Sequence, residues 1–561
     1  MASNTVIMRR DTNNGGNGPT KAEDGEARPD RLARLARAHW PVVVVLGIMT
    51  VAFLVRLHYL ARHSEYTADS YYFLILARSI RDTFTYTVRG VTHIKYLPGY
   101  PIATWLGGYL SGGLENSANM IALLGGSLTV LTTYGIGREL MNRWTGLVAA
   151  LIVAFAPTFL KWTCLPMTEG LFTFLFSGGI YLVITGCKRA SMPRRMLGAL
   201  AGGLCFLTRW EGILFLPLMV LIVMIFIRGS RLKPWEPPVM LALFGGPMVI
   251  YMARNKIATG SMTAYTGEYD NYTPGVTFSI LKHRLKVYAW NGTSDAIFSV
   301  LFYAGAFWCL IRKRWKAFLV VGGWFGLFVV FHMFWYYSYE RFMAPAAPAV
   351  ALMIGFLLVD LATSAGKVFG SEGQVAARTS GGKLQGGTRT ALLASARWLA
   401  WLALACLLVV TVTHGLVRAD RVIEENYKAF ADDHGGKGIG EAALWLEENA
   451  PGQAVAVDAG PYFQWLYSSG EVLYLRPVPW DLPVEDRDVE HPDVPGKLYQ
   501  RGVRYMVIGQ TEKGVDDELK LFGIVDDARQ RVREIARWVN HYEYPEPHDL
   551  ETVIFEVLPP N

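Results

Sequence analysis

Long apolar runs separated by short clusters of Lys and Arg dominate this sequence of 561 residues. Apolar residues make up 52% of the chain and charged residues only 18%, against about 25% in a typical soluble domain. About 20 consecutive apolar residues can cross a bilayer as a helix, in which every backbone polar group is satisfied within the segment. The chain is therefore predicted to be an α-helical polytopic membrane protein.

The basic clusters predict which ends of the helices face the cytoplasm. Because these clusters lie between apolar runs, the net charge of +7 does not indicate a nucleic-acid-binding surface. Segment 97–113, with its two prolines and five glycines, must be re-entrant or surface-lying unless a further crossing exists elsewhere. Placing every cluster inside gives a cytoplasmic N-terminus and about 11–13 crossings. Eleven of them can be placed, at residues 42–60, 117–137, 144–160, 169–186, 196–208, 211–227, 238–253, 295–311, 317–335, 343–361 and 397–414.

Four regions follow from this topology. Residues 1–38 are predicted to form a disordered basic tail in the cytoplasm, and residues 39–415 a transmembrane domain, whose first exoplasmic loop is 61–116. The Gly/Ser-rich stretch 362–396 is predicted to be a flexible cytoplasmic loop. Residues 416–561 alternate between helical and strand patterns, which predicts an exoplasmic α/β domain.

The first outer loop contains the most informative polar residues. A helix is predicted to begin near Asp69 and to lie at the membrane surface, with Tyr72, Leu76 and Ile80 on its apolar face. Spacing alone favours Asp69 as an N-cap of this helix over a catalytic carboxylate. Lys95 is a candidate for holding a lipid phosphate, but an interfacial lysine whose charge reaches water explains it equally well.

Two arginines on the outer side depart from the positive-inside trend and therefore need partners. Arg209 is followed by Glu211, and Arg341 is preceded by Glu340. Each arginine can form a structural ion pair with a nearby glutamate or can bind an anionic substrate group. Glu169 begins a crossing, where it is either a favourable charge at a helix N-terminus or a carboxylate that faces a cavity.

Several segments together resemble the GT-C superfamily of membrane glycosyltransferases. These are ADSYYFLILARSI at 68–80, KYLPGYP at 95–101, LPMTEGLFTFLF at 165–176, LTRWEGILFLP at 207–217 and YERFMAPAAPAVALMIG at 339–355. They are most similar to glycosyltransferase family 39 and its bacterial relatives, the protein O-mannosyltransferases and lipid A aminoarabinose transferases. The resemblance covers roughly residues 40–415.

The resemblance implies a polyprenyl-phosphate-linked sugar as donor, an acceptor glycan, lipid or protein, and an exoplasmic active site in a prokaryotic plasma membrane. It implies that Asp69 is the catalytic base, although Ser70 stands where the mannosyltransferases have a second acidic residue. It implies that Lys95 binds the donor phosphate, and the need to stabilise a leaving phosphate makes Arg209 and Arg341 further candidates for that role. Further candidates for the substrate pocket are Tyr71, Tyr72, His93, Glu169, Glu211 and Glu340.

The expected reaction is an inverting glycosyl transfer without a cofactor. A positioned carboxylate takes the proton of the acceptor hydroxyl, and cations stabilise the leaving phosphate. One alternative is a metal-dependent enzyme similar to an oligosaccharyltransferase, in which Asp69 and Glu169 share the ion. The other is a non-enzymatic lipid or sugar transporter, for which repeated halves and charged residues in mid-helix would be expected.

Overall fold

The structure is a computed structural model that describes residues 27–559 apart from 63–65, 89, 264–276, 294, 336–338, 380–401, 403–404, 424–435, 459–460, 475–493, 512–514, 516–518, 520–523, 525–528 and 543–547. The chain divides into two compact units, Met1–Val44 and Val45–Asn561. The described part of the first unit is helical from Ala27, so residues 27–38 differ from the predicted disordered tail. Ala, Leu and Arg dominate this stretch, and all three favour helix once a nucleus exists.

Helices account for most of the described residues before position 424. The first ten are α1 Ala27–Arg62, α2 Ala68–Thr83, α3 Gly99–Ser111, α4 Leu114–Leu140, α5 Arg143–Ala154, α6 Pro157–Thr163, α7 Thr168–Lys188, α8 Met192–Thr208, α9 Phe215–Ser230 and α10 Glu236–Thr259. The later ones are Phe278–Leu285, Ala296–Ile311, Gly323–Met333 and Ala347–Thr379, with short 3₁₀ helices at Trp210–Leu214 and Glu340–Ala346.

Seven described helices are long and apolar enough to cross a membrane, and a bent pair makes up to eight. They agree with the predicted crossings near 42–60, 117–137, 169–186, 211–227, 238–253, 317–335 and 343–361, and the bent pair corresponds to 144–160. The predicted crossings 196–208 and 295–311 correspond to helices of 17 and 16 residues. Of predicted crossing 397–414, residues 402 and 405–414 are described and helical, and the others lie outside the described part of the chain. The count of eleven therefore stays a prediction.

Helix α3 explains segment 97–113. It has 13 residues, which at about 1.5 Å per residue span only about 20 Å, short of the roughly 30 Å hydrocarbon core. A Cβ on Gly99 would lie 2.6 Å from the Leu207 carbonyl oxygen, so glycine permits the start of α3 to touch the end of α8. This contact brings the residues before Gly99 close to Arg209.

The bent pair is α5 and α6, whose axes differ by 58°. Pro157 opens α6, and because proline lacks an N–H it cannot continue the ladder of α5. The fully buried Arg56 of α1 donates to the Ala154 carbonyl at 3.2 Å and to the Thr163 hydroxyl at 2.8 Å. Arg56 therefore links α1 to both sides of the break.

Helix Ala347–Thr379 corrects the prediction of a flexible loop at 362–396. Residues 362–379 continue the helix, and 380–396 lie outside the described part of the chain. Extending an existing helix adds one hydrogen bond for each residue fixed, whereas nucleation is costly. The apolar span that precedes residue 362 supplies the nucleus, so the polar stretch can remain helical.

A mixed sheet forms the centre of the C-terminal region. Strands β1 Thr87–Val88 and β2 Val91–Thr92 form a separate hairpin in the first outer loop. The strands of the mixed sheet are β3 Ala454–Asp458, β4 Val472–Tyr474, β5 Val503–Thr511, β6 Val532–Tyr542 and β7 His548–Val557, in the order β4-β3-β5-β7-β6. β3 is parallel to β4 and β5, whereas β7 is antiparallel to β5 and β6. Side chains alternate across the sheet, so Met506 and Ile508 enter one core and Val507 the other. The predicted α/β architecture is confirmed.

Helix α2 lies between the membrane helices and the C-terminal sheet domain. The Arg78 guanidinium stacks on the Trp465 ring at 3.7 Å and donates to the Trp465 carbonyl at 3.0 Å. The Trp465 indole N–H donates to Glu115 of α4 at 2.5 Å. Residues on all sides of α2 are buried, including Ser70, so the helix packs against protein, and its place at the membrane surface stays a prediction. The C-terminal domain covers the side that was expected to face water.

Candidate active site

A cavity of about 350 Å³ opens where five segments of the chain meet. The segments are the start of α2, residues 95–97 before α3, the start of α7, the end of α8 with its 3₁₀ turn, and residues 335 and 339–342. The residues lining the cavity are Asp69, Phe73, Lys95, Tyr96, Leu97, Thr168, Thr208, Arg209, Trp210, Glu211, Trp335, Tyr339, Arg341 and Phe342. All four residues predicted to act as base or phosphate ligands therefore lie in one place.

Asp69 is held by tertiary contacts and does not cap its helix. The N-cap is Thr67, whose hydroxyl accepts a hydrogen bond from the Ser70 amide at 3.2 Å. The Asp69 carboxylate contacts Arg341 Nη2 at 2.8 Å and accepts from the Tyr96 hydroxyl at 2.6 Å. Burial by itself would raise the pKa of Asp69, but Arg341, the Tyr96 hydrogen bond and Lys95 outweigh it and hold this pKa below its ordinary value. Asp69 is therefore ionised at neutral pH.

Arg341 joins two carboxylates. Its Nη2 contacts Asp69 and its Nε donates to Glu169 Oε1 at 2.7 Å. Glu169 lies in the first turn of α7, is fully buried, and also accepts from Arg209 Nη1 at 2.6 Å. A Cβ on Gly170 would lie 2.4 Å from the Ala122 carbonyl oxygen, so this glycine allows α7 to approach α4 closely beside Glu169.

Arg209 continues the chain of alternating charges. Its Nη2 contacts Glu211 Oε1 at 2.7 Å. His332 Nε2 lies 3.3 Å from the same oxygen, and His332 Nδ1 lies 2.8 Å from the Phe328 carbonyl. The sequence Asp69, Arg341, Glu169, Arg209, Glu211 and His332 thus forms one connected network. Glutamates pair with both arginines, as one sequence interpretation expects, but the central glutamate is Glu169.

The charges around the cavity balance. Three carboxylates, Asp69, Glu169 and Glu211, face three cations, Lys95, Arg209 and Arg341. Aromatic rings of Trp210, Trp335, Tyr339 and Phe342 form much of the remaining wall. An aromatic wall beside buried cations suits a ligand that has both an apolar or sugar face and an anionic group.

Four predicted pocket residues belong neither to the cavity wall nor to the ion-pair network described above. Tyr71 faces the C-terminal domain and packs against Tyr462 at 4.9 Å between ring centroids. Tyr72 and His93 are buried behind Tyr96, with centroids 5.3 and 5.4 Å from its ring. Glu340 is absent from the cavity wall. Of the two remaining candidates, Glu211 lines the cavity and Glu169 is reached through the arginines.

Sequence reasoning missed Tyr96 and His332. Tyr96 follows Lys95 directly, so its place in the KYLPGYP segment was a usable signal. His332 lies in the apolar run Gly323–Met333, where an ionisable side chain is expensive and marks a functional-site candidate.

The position between Asp69 and Glu169, where the metal-dependent alternative places an ion, is taken by the Arg341 guanidinium. Among the residues that the structure describes, no group of three or more His, Cys, Asp or Glu side chains is arranged to hold a metal. Asp69 and Glu169 are thus arranged around the guanidinium of Arg341, and this arrangement fits that side chain better than a metal ion.

Comparisons with known proteins give one family match and several structural ones. Residues 95–251 match the model of the dolichyl-phosphate-mannose-protein mannosyltransferase family. No curated protein sequence matches the chain. ArnT from Cupriavidus metallidurans in the apo state is 15% identical, with 94% of this chain and 100% of that chain covered and a TM-score of 0.58. The same protein bound to undecaprenyl phosphate is 15% identical, with 93% of this chain and 100% of that chain covered and a TM-score of 0.55.

A second group of similar structures comes from the archaeal oligosaccharyltransferase of Archaeoglobus fulgidus. Its apo form is 12% identical, with 84% of this chain and 70% of that chain covered and a TM-score of 0.52. Identities this low establish the fold alone. The protein therefore has the fold of the GT-C membrane glycosyltransferases, and within it residues 95–251 match the mannosyltransferase family.

Proposed function

We propose that this protein transfers a sugar from a polyprenyl-phosphate-linked donor to an acceptor hydroxyl, with Asp69 as the catalytic base. The contact of 2.8 Å between Asp69 and Arg341 in the wall of the cavity carries this proposal. It joins the group that takes the proton to a cation suited to the leaving phosphate. The ArnT structure bound to undecaprenyl phosphate supports a lipid-phosphate ligand for this fold.

Asp69 has room for the acceptor. A carboxylate offers about four lone-pair sites, and Tyr96 and Arg341 take one on each oxygen. An acceptor hydroxyl can therefore donate to a further site while both present contacts remain. General-base catalysis of this kind contributes about 10²–10⁴-fold. Its low pKa makes Asp69 a weak base that is always available, which suits attack on a donor whose leaving group is already good.

The transfer moves negative charge from Asp69 to the donor phosphate. The acceptor O–H proton passes to Asp69, the acceptor oxygen bonds to the anomeric carbon, and the bond between that carbon and the phosphate oxygen breaks with its electron pair on the phosphate. As Asp69 becomes neutral, Arg341 loses this anionic partner and can stabilise the new negative charge on the phosphate. Lys95 lines the same cavity and adds a second cation. One in-line attack inverts the anomeric centre.

The proposed enzyme needs no metal, because Arg341 supplies a fixed positive charge beside Asp69. Transfer should therefore persist in EDTA, whereas the oligosaccharyltransferase-like alternative predicts that chelation abolishes it and that Mn²⁺ or Mg²⁺ restores it. The proposed setting is the outer face of a prokaryotic plasma membrane, where the acceptor is a glycan, lipid or protein.

Asp69→Asn tests the role of the base, since it keeps the shape of the side chain and removes its basicity. Single-turnover transfer should fall by about 10² or more while thermal stability stays near that of the parent. Asp82→Asn is the matched control, because Asp82 lies in the last turn of the same helix and pairs with Arg81 at the surface. It should leave the rate unchanged. A folded Asp69→Asn protein with the parent rate would refute the assignment and make Glu169 the next candidate.

A further inference from the structure

The segment from His93 to Tyr96 places two cavity residues, Lys95 and Tyr96, yet it belongs to no helix or strand. It lies between strand β2, Val91–Thr92, and helix α3. Backbone carbonyls in such a segment have no ladder to join, so buried ones require other donors. Here each of the four consecutive carbonyls accepts a hydrogen bond from a side chain elsewhere: His93 from Arg254 at 2.9 Å, Ile94 from Tyr251 at 3.1 Å, Lys95 from Trp210 at 3.4 Å, and Tyr96 from Tyr86 at 2.9 Å.

Helix α10 supplies two of these donors from its last turns. Tyr251 and Arg254 are three residues apart and therefore lie on one face. The Tyr251 hydroxyl also lies 3.4 Å from the Tyr96 carbonyl. Arg254 Nη2 donates to the Tyr86 carbonyl at 3.2 Å, and its guanidinium lies 5.5 Å from the centre of the Tyr86 ring. The end of α10 thus contacts the carbonyls at both ends of the segment.

The segment also restrains itself from within. The Tyr96 amide donates to His93 Nε2 at 3.1 Å, and the two rings stack with centroids 5.4 Å apart. This hydrogen bond requires neutral His93 with its proton on Nδ1. The result is a tight turn that directs the Tyr96 hydroxyl to Asp69 at 2.6 Å.

We propose that Tyr251 and Arg254 are positioning residues that set the conformation of the His93–Tyr96 segment and, through it, place Tyr96 on Asp69 and Lys95 in the cavity wall. This inference rests on the proposed glycosyl transfer, because it assigns the two residues a role in that site. An irregular segment has no conformational preference strong enough to fix a side chain, so the carbonyl contacts decide where the Tyr96 hydroxyl lies. A displacement of about 1 Å at a reacting group can cost about 10²-fold in rate.

Three variants of these residues test the proposal, with one matched control. Tyr251→Phe removes one hydroxyl. Arg254→Gln removes the positive charge together with the two hydrogen bonds to the carbonyls of His93 and Tyr86, whereas Arg254→Lys keeps the charge. Tyr303→Phe is the control, because the Tyr303 hydroxyl also donates to a carbonyl, that of Ala289 at 2.6 Å, away from the segment. At saturating donor, Tyr251→Phe and Arg254→Gln should lower the single-turnover rate per folded molecule about tenfold. Arg254→Lys should lie between them and the parent, and Tyr303→Phe should equal the parent.

A double-mutant cycle separates positioning from general destabilisation. If Arg254 acts through the segment, Arg254→Gln should cost much less in a Tyr96→Phe background than in the parent, because the Tyr96–Asp69 hydrogen bond is already lost. Independent structural damage would instead give additive losses. Additive losses, or a parent rate in both single variants, overturn the proposal.

Hydrogen–deuterium exchange of a peptide containing residues 93–97 gives a readout that needs no transfer activity. Exchange should be faster in Tyr251→Phe and Arg254→Gln than in the parent and Tyr303→Phe. Unchanged exchange refutes the positioning role even if sugar transfer is confirmed. If the two variants exchange faster than a parent that itself transfers no sugar, the restraint exists and the proposed function is wrong, so the two failures are distinguishable.

Discussion

Replacing Arg341 with Met should expose two separate roles of its guanidinium. The side chain is partly buried and contacts Asp69 at 2.8 Å and Glu169 at 2.7 Å. Methionine keeps much of the apolar stem and removes both contacts. Asp69 then retains the Tyr96 hydroxyl and the nearby charge of Lys95, and the fully buried Glu169 retains its ion pair with Arg209.

The expected stability loss follows from these remaining contacts. Leaving a buried charge without its partner costs about 3–5 kcal/mol. Each carboxylate here keeps one strong partner, so the loss should lie near the lower end, at about 3 kcal/mol. Arg341→Met combined with Glu169→Gln removes one of the two stranded charges and should recover part of the thermal stability. Arg312→Met is the matched control, since Arg312 pairs with Asp360 at 2.8 Å in a more exposed position.

The expected effect on rate is larger and is not recovered by the second change. Removing one positioned donor from a site of developing charge costs about 10²–10³ in turnover. Arg341→Met should also raise the pKa of Asp69, because burial then acts against a weaker set of partners. The parent keeps its base ionised until the pH falls below the ordinary value of 3.8, so it should show no loss from Asp69 between pH 5 and 8. In the variant, the acid limb should move upward.

Single-turnover rates between pH 4.5 and 8 and thermal midpoints on the same preparation would decide the question. A variant with the parent rate and an unmoved acid limb would show that Arg341 is structural only. Recovery of the parent rate by Glu169→Gln would refute the role of Arg341 at the leaving phosphate, because that change restores charge balance without restoring a cation.

The other predictions concern pH, packing and topology. Burial first, then Lys95 and Arg254, lower the pKa of His93 from 6.5 to about 3, so the unfolded chain binds the proton more readily between these values. The free energy of unfolding is therefore highest above pH 6.5 and should decrease below that pH by up to about 1.4 kcal/mol per pH unit. As the pH is lowered, the thermal midpoint of His93→Gln should decrease less steeply than that of the parent. Glu236→Gln leaves Arg195, which is 1% exposed, without its partner at 2.5 Å, and should cost about 3–5 kcal/mol of stability without lowering the rate per folded molecule. Single cysteines replacing Ala190 and Ser468, in a background in which the exposed Cys406 is Ser, should be labelled from opposite sides of the membrane; labelling from one side would contradict the topology.

The sequence alone predicts which residues reach the cavity better than which partners they contact there. Asp69, Lys95, Arg209 and Arg341 were all predicted, because topology places them at one membrane face and the family motifs occur in the expected order. The contact between Asp69 and Arg341 joins positions 69 and 341, and no local pattern encodes it. A contact at this separation depends on how α2 and the 3₁₀ helix Glu340–Ala346 pack in the folded chain, which apolar periodicity leaves open.

The error at the start of α2 has a similar physical origin. Thr and Asp are both favoured N-caps, and the local sequence offers both Thr67 and Asp69. Thr67 caps the helix, because the Asp69 carboxylate has stronger partners in the Arg341 guanidinium and the Tyr96 hydroxyl. Local capping preference was outweighed by contacts that form only in the folded chain.

Helix α2 connects the C-terminal domain to Asp69, the proposed base. Asp69 stands near one end of it and Arg78, clasped by Trp465, stands nine residues later, about 13 Å along the helix axis. Tilting a rigid rod of that length by about 5° moves one end by about 1 Å, a displacement large enough to change a reaction rate about 10²-fold. A small rotation of the C-terminal domain, caused for example by a bound acceptor or a neighbouring protein, would therefore change the turnover rate without any contact with the sugar.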